Sequence, residues 1–337
     1  SPGFDINDAG RLRRADRIET GGRLTYRETT PGLFQNYSVR AELDGNWNFD
    51  GNRLRNSLEI GGNVTLRSFW RLGMELDLVP RGLSDTQTRG GPLMGTPAQW
   101  GMSANVNSDF SRRTGFSLFG FFRVDEQDGW FWNLGGGIES KPTGTWQIGL
   151  FPRYERSSDA RQYVDTIEDG PEATFGKRYI FGRIDRSTLS AQLRISYGFT
   201  PNLSLEGYAE PFSVTGTYSE YGERPEPRSL DLRYYGTDGT TITESEGEAP
   251  RLITVTDGED SFTFERGDFQ SLSFRTNLVL RWEWRPGSTL FLIWQQNQGD
   301  FESVTGPGSA GLGDWGDAIT SPGQSFFALK LTYWLPI

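Results

Sequence analysis

The chain has 337 residues, 35% of them hydrophobic and 14% aromatic, and a formal charge of -10. No apolar run reaches the about 18 residues a membrane helix needs, which excludes a helical membrane protein, and the acidic balance argues against a nucleic-acid partner. The absence of cysteine and histidine removes disulfides, thiolate and imidazole metal sites, and Ser-His or Cys-His nucleophile pairs.

Residues 1–22 read as a loop, with Ser1-Pro2-Gly3 and Asn7-Asp8-Ala9-Gly10 as its turn-forming stretches. Thirteen strands are then predicted at 23–29, 33–49, 53–66, 69–79, 99–109, 114–126, 130–140, 145–156, 178–199, 203–216, 269–285, 289–298 and 325–335. Each alternates apolar and polar residues at period two over about the span of a bilayer core. The clearest run is Ser271 to Arg285. Leu272, Phe274, Leu278, Leu280, Trp282 and Trp284 share one side, and Ser271, Ser273, Arg275, Asn277, Arg281, Glu283 and Arg285 share the other. Each side wants a different solvent, which a transmembrane β-barrel supplies as lipid outside and a wet lumen inside.

The connections sort into two kinds. Short turns fall at Pro31-Gly32, Arg67-Ser68, Phe110 to Arg113, Lys141 to Gly144, Thr200 to Asn202 and Pro286 to Ser288. Between them come Asp50-Gly51, 80–98, Gln127 to Gly129, 157–177, 217–268 and 299–324. Bacterial barrels keep short turns in the periplasm, so the longer set is expected outside, together with residues 1–22. This alternation survives only if Arg178 to Phe199 is one continuous strand, with Leu189, Ala191, Leu193, Ile195 and Tyr197 toward lipid. The last strand carries Phe327, Leu329, Leu331, Tyr333 and Leu335 on one side, which places a C-terminus at Ile337 in the periplasm.

The fold expected is therefore an all-β, antiparallel, up-and-down β-barrel in the outer membrane of a Gram-negative bacterium, in contact with lipid and lipopolysaccharide. Its lumen-facing charges are Arg40, Glu42, Glu59, Glu75, Asp77, Arg123, Asp125, Arg194, Glu206, Arg275, Arg281, Glu283 and Lys330. On lipid, each Arg or Lys would cost about 2–4 kcal/mol at mid-height, and a register slip of one residue would move them all. These charges either neutralise one another across strands or form a selectivity ring. Single-chain barrels nearly always have an even strand count. Thirteen strands and a start in an outside loop suggest that an upstream segment, or another chain, completes the barrel, and the opening Ser rather than Met fits either a removed targeting segment or a piece of something longer.

Several stretches carry a family resemblance: SPGFDINDAG (1–10) with RRADRI (13–18), WNFDGNRL (47–54), RGGPLM (89–94), TFGKRY (174–179), TPNLSLEGYAEPF (200–212) and RWEWRPGSTLFLIW (281–294). In combination they resemble a family of large outer-membrane proteins known mainly as a domain of unknown function. That family carries an N-terminal module like the family-nine carbohydrate-binding domains. The resemblance implies that residues 23–337 form the C-terminal part of a longer barrel, with further strands and the sugar-binding-like module before Ser1. It supplies no catalytic motif.

Three functions are weighed. A conduit for a solute such as an oligosaccharide uses the polar lumen, with Arg89 to Met94 either folded inward as a constriction or packed as a loop cap. A non-conducting anchor or scaffold uses the long loops, where Tyr218, Tyr221, Tyr234 and Tyr235 serve either as contacts or as the core of a loop hairpin. A hydrolase would rest on the loop acids Asp165, Glu168, Asp169, Glu244, Glu246, Glu248, Glu259 and Asp260, which read instead as a solvated surface. No enzyme, catalytic residue, metal site or cofactor is expected.

Overall fold

Alternation at period two becomes strand along nearly the whole chain, because each such segment satisfies its backbone only by pairing with a neighbour. The computed structural model describes residues 16–30, 32–247, 250–304 and 308–335. The expectations for residues 1–15, Pro31, Glu248 and Ile337 lie outside the described residues. In chain order the elements are β1 (Ile18–Glu28), β2 (Asn36–Trp47), β3 (Arg53–Thr65), β4 (Arg71–Val79), β5 (Gly82–Ser84), β6 (Met94–Thr96), β7 (Gln99–Asn107), β8 (Thr114–Asp125), β9 (Trp130–Ser140) and β10 (Trp146–Glu168). They continue with β11 (Lys177–Thr200), β12 (Leu203–Glu223), β13 (Arg233–Tyr234), β14 (Thr240–Glu244), β15 (Leu252–Asp257), β16 (Asp260–Glu265), β17 (Phe269–Arg285), β18 (Ser288–Ser303), α1 (Leu312–Thr320) and β19 (Gly323–Thr332).

Thirteen long strands form one antiparallel sheet in the order β1-β2-β3-β4-β7-β8-β9-β10-β11-β12-β17-β18-β19, with β13 added beside β12. Thirteen is the number the alternation predicts. β11 is continuous, as parity requires. Several strands outrun their predicted limits. β10 reaches Glu168, β12 reaches Glu223 and β18 reaches Ser303, so much of 157–177 and parts of 217–268 and 299–324 are strand. In β10 the cause is local: β-bulges between Asp159 and Gln162 and between Tyr163 and Asp165 break the period of two while the ladder continues past them.

β1 and β19 stand at the two ends of the strand order, and among the described residues neither pairs with the other. The sheet is open, and no closed barrel forms among these residues. It nevertheless curls. Asn46 of β2 and Arg55 of β3 line the same cavity as Ile184, Arg186 and Thr188 of β11. In a flat sheet β2 and β11 would lie roughly 34 Å apart at ~4.8 Å per strand.

Beyond one end of the sheet, residues 217–268 build their own small core. Strands β14, β15 and β16 form a three-stranded sheet, and Ile253, Val255 and Phe264 from it pack with Ile180, Tyr221 and Tyr235. Tyr218 lies against that cluster and stacks on Tyr221. Of the two readings of these tyrosines, the hairpin core holds for Tyr218, Tyr221 and Tyr235, while Tyr234 stays exposed.

Away from helix α1, the convex side of the curled sheet is apolar and uncovered. Leu24, Leu43, Met74, Leu118, Leu134, Leu150, Leu292, Phe327 and Leu329 are all exposed there. Trp100 and Phe122, 5.8 Å apart, and Trp132 and Tyr154, 5.5 Å apart, form an aromatic row near the long-loop end, joined by the cross-strand pair Phe122 and Trp132. Trp146, Tyr197 and Phe199 cluster at the short-turn end. Trp146 and Tyr154 are eight residues apart on β10, about 26 Å along a strand.

Candidate functional site

The concave side is the candidate site, and the strand register builds it. Directly paired residues share a side. Arg23 faces Glu42, Glu42 faces Glu59, Glu59 faces Asp77, Asp77 faces Gly101, and Gly101 faces Arg123. Farther round, Gly149 faces Arg194, which faces Tyr208 and then Asn277, while Arg281 faces Phe291 and then Lys330. Two-residue steps along the same strands add Arg40, Glu75, Asp125, Glu206, Arg275 and Glu283. All thirteen predicted charged residues therefore occupy one side of the sheet.

The structure joins many of them in pairs. Arg23 grips both carboxylate oxygens of Glu42 at 2.8 Å, and Arg40 donates to Glu75 and lies 3.7 Å from Glu42. Arg281 bonds Glu283 at 2.8 Å. Arg275 faces Glu210, Arg194 lies over the Tyr208 ring and Lys330 over Phe291. With Asp77 near Arg55 and Asp125 on Arg161, seven of the thirteen have an opposite charge within 4 Å, while Glu59 lies between the like charges of Glu42 and Asp77. Aromatic residues also reach this side, which charge alternation alone did not foresee. The Phe119 ring covers Gly135 and the Phe151 ring covers Gly137, where any side chain at the glycine would displace the ring.

Two cavities open on this side. The larger, about 710 Å³, lies at the long-loop end and is lined by Arg17, Arg55, Arg123, Arg161 and Arg186 against Asp85, Asp125, Glu155 and Asp159, with Trp130 and Phe131 in its wall. The second, about 660 Å³, lies nearer the short turns and is lined by Glu139, Gln147, Phe151, Gln192, Arg194, Glu206, Tyr208 and Asn277. Arg123, Asp125, Arg194 and Glu206 are the predicted residues that line a cavity. Arg55, Glu155, Asp159, Arg161 and Arg186 were missed. Arg161 and Asp159 sit at the bulge of β10, where the period is lost. Arg55 and Glu155 keep the alternation, two residues from neighbours on the concave side, and that signal would have found them.

Asp125 anchors the larger cavity. Its carboxylate accepts the backbone N–H of Gln127 at 2.8 Å and of Gly129 at 3.1 Å, closing the β8–β9 turn, and it takes the buried Arg161 guanidinium at 3.0 Å. Above the cavity two loops interlock. Gly95 N–H donates to Ser229 O at 3.0 Å and Arg228 N–H to Leu93 O at 2.7 Å. Arg224, fully buried, donates to Gly95 O at 2.9 Å, and Arg228 reaches the β2–β3 turn at Asn52, 2.7 Å away. The Arg89 to Met94 stretch is thus a packed cap, with Met94 buried.

Hydrogen bonds to backbone carbonyls hold Arg224 in the cap, and ion pairs hold the loop sheet. Burial, aided by nearby Arg161, pushes the Arg224 guanidinium down to about 10, still charged at neutral pH. Glu223, 3% exposed, lies between Arg178 at 2.8 Å and Arg233 at 3.3 Å, and both also hold Asp257. Hydrogen bonds from Arg233, then its charge, hold the Asp257 carboxyl below the usual range. Burial drives the Tyr221 and Tyr235 hydroxyls well above theirs. Among the loop acids, Glu244 takes Arg251 and Arg266, Glu168 takes Lys177, and Asp260 lies 3.8 Å from Arg178. Among the described residues no cluster of acids is arranged to hold a metal ion.

Compared with known proteins, residues 1–336 match the model of a family described as a domain of unknown function, DUF5916. No curated protein matches, and no solved structure matches.

Proposed function

We propose, from the premise that the chain belongs to the DUF5916 family, that it is a wall of a bacterial outer-membrane β-barrel whose concave side lines a path for a polar solute. The observation that carries this reading is the inversion of the sheet: charge lines the enclosed side while large apolar residues are bare on the other. A water-soluble protein rarely exposes apolar patches beyond about 300–600 Å², whereas a lipid-facing barrel wall requires a continuous band. The aromatic groups near both ends of that band suit the two bilayer interfaces. Their separation of about 26 Å along β10 gives about 20 Å of height at a ~40° tilt, to which the rings add their own length.

Five arginines against four acids leave the larger cavity close to neutral. That balance suits an uncharged, hydroxyl-rich solute such as an oligosaccharide better than an ion, with Trp130 and Phe131 offering ring surfaces and the charged groups offering hydrogen bonds. Strands upstream of Ser1, or another chain, would complete the wall, and the sugar-binding-like module belongs to this same proposal.

Conductance in a planar bilayer tests the path. The completed barrel is expected to conduct, and Arg228→Ala, which cuts the tie from the cap to Asn52, is expected to raise the open fraction. A barrel that stays closed in both forms would contradict the conduit. The interlocked cap favours a second reading, a non-conducting anchor for a surface assembly, which that closed outcome would support.

A further inference from the structure

We infer that helix α1 is an interfacial foot, seated on the convex side of the sheet, with Leu312, Trp315 and Ile319 turned to the boundary between lipid headgroups and acyl chains at the long-loop end. This rests on the membrane reading and adds a lipid contact that no strand makes. The aromatic row of Trp100, Phe122, Trp132 and Tyr154 stops at β10. Its register continues from Tyr154 through Leu189, Ser213, Leu272 and Asp300, none of them aromatic. At that gap the Trp315 indole N–H donates to the Leu189 carbonyl at 3.4 Å.

The seat is made of small residues. Ser187, Ser213 and Thr215 are buried although they belong to the convex side. The Ala310 N–H donates to the Ser187 hydroxyl at 3.1 Å, and Ala318 is 0% exposed. Two and a half turns of helix laid on this seat segregate their side chains. Leu312 and Ile319, 72% and 48% exposed, point within about 20° of each other, and Asp317 points about 140° from Leu312 at ~100° per residue. The convex side of β18 turns polar at the same end, through Gln296, Gln298 and Asp300. An apolar stripe against a polar flank at the edge of an apolar band is the pattern of an interfacial helix.

Because the chain has no cysteine, single-cysteine spin labels test the foot in the whole protein in bilayers. Leu312→Cys and Ile319→Cys are read against Leu150→Cys on the apolar band and Phe175→Cys on an exposed loop tip, by collision with oxygen and with a water-soluble nickel chelate. Labels at 312 and 319 are expected to meet nickel several-fold less often than the label at 175 and more often than the label at 150, with Asp317→Cys resembling 175. Nickel access at 312 and 319 equal to that at 175, with 150 still protected, would overturn the foot alone. Free nickel access at 150 would overturn the membrane reading and the foot with it.

Discussion

At the residue scale, the buried ion network of the loops is the feature most sensitive to a single atom. Glu223 neutralises Arg178 and Arg233 in a site nearly closed to water, and removing one member of such a set strands the others without a counter-charge. Glu223→Ala is expected to destabilise the loop sheet by about 3–5 kcal/mol, seen as faster proteolysis within 236–265 while the long strands persist. Asp257 adds a pH dependence. Its native pKa lies below the ordinary 3.8, so its contribution is complete above that value and is lost as pH falls through the lower native one. The near-ultraviolet dichroism of the Tyr221 and Tyr235 cluster should therefore fade below pH 3.8, and Asp257→Asn should lose that signal's acid step.

At the element scale, opposite sides of adjacent strands make opposite demands. Met74 on β4 is 60% exposed on the apolar side, and Ser103 on β7 lies on the charged side, directly opposite Glu75. Met74→Arg is expected to cost about 2–4 kcal/mol and to abolish insertion, whereas Ser103→Arg should insert normally, as measured by heat-modifiable mobility on gels. Strand existence and facing were legible in the sequence because alternation is decided locally: 130–140 and 269–285 match β9 and β17 end to end. The extensions of β10, β12 and β18 were not. On the proposed membrane reading those ends lie outside the bilayer, where both sides of a hairpin meet water or protein, so the apolar-polar alternation weakens, and bulges at Asp159 and Tyr163 shift what remains. Helix α1 was hidden for a related reason. Leu312-Gly313-Asp314-Trp315-Gly316 reads as loop by propensity, and its burial comes from tertiary contact with the sheet.

At the scale of the whole molecule, the sheet has inverted polarity and, among the described residues, two unpaired edges. β1 and β19 run in the same direction, twelve antiparallel steps apart. Closure by antiparallel pairing therefore takes an odd number of added strands. Left open in lipid, each edge would bare backbone groups at several kcal/mol apiece, so the chain alone is expected to insert poorly and to gain insertion when its completing segment is present. Of the candidate site, the charged residues of the long strands were legible as one side of an alternating pattern. The larger cavity was not, since Arg161 reaches it from the bulged extension of β10 and Asp85 from a loop that only the folded chain brings alongside.

The central claim, lipid on one side of the sheet and water on the other, is tested most directly along β10. Single cysteines at Gln147, Ile148, Leu150, Phe151, Arg153 and Tyr154 in the full-length protein reconstituted with lipid are treated with a membrane-impermeant maleimide. Strong labelling at 147, 151 and 153 with protection at 148, 150 and 154 is the result the account predicts. Equal labelling on both sides, or protection of 147, 151 and 153 in place of the others, would contradict it.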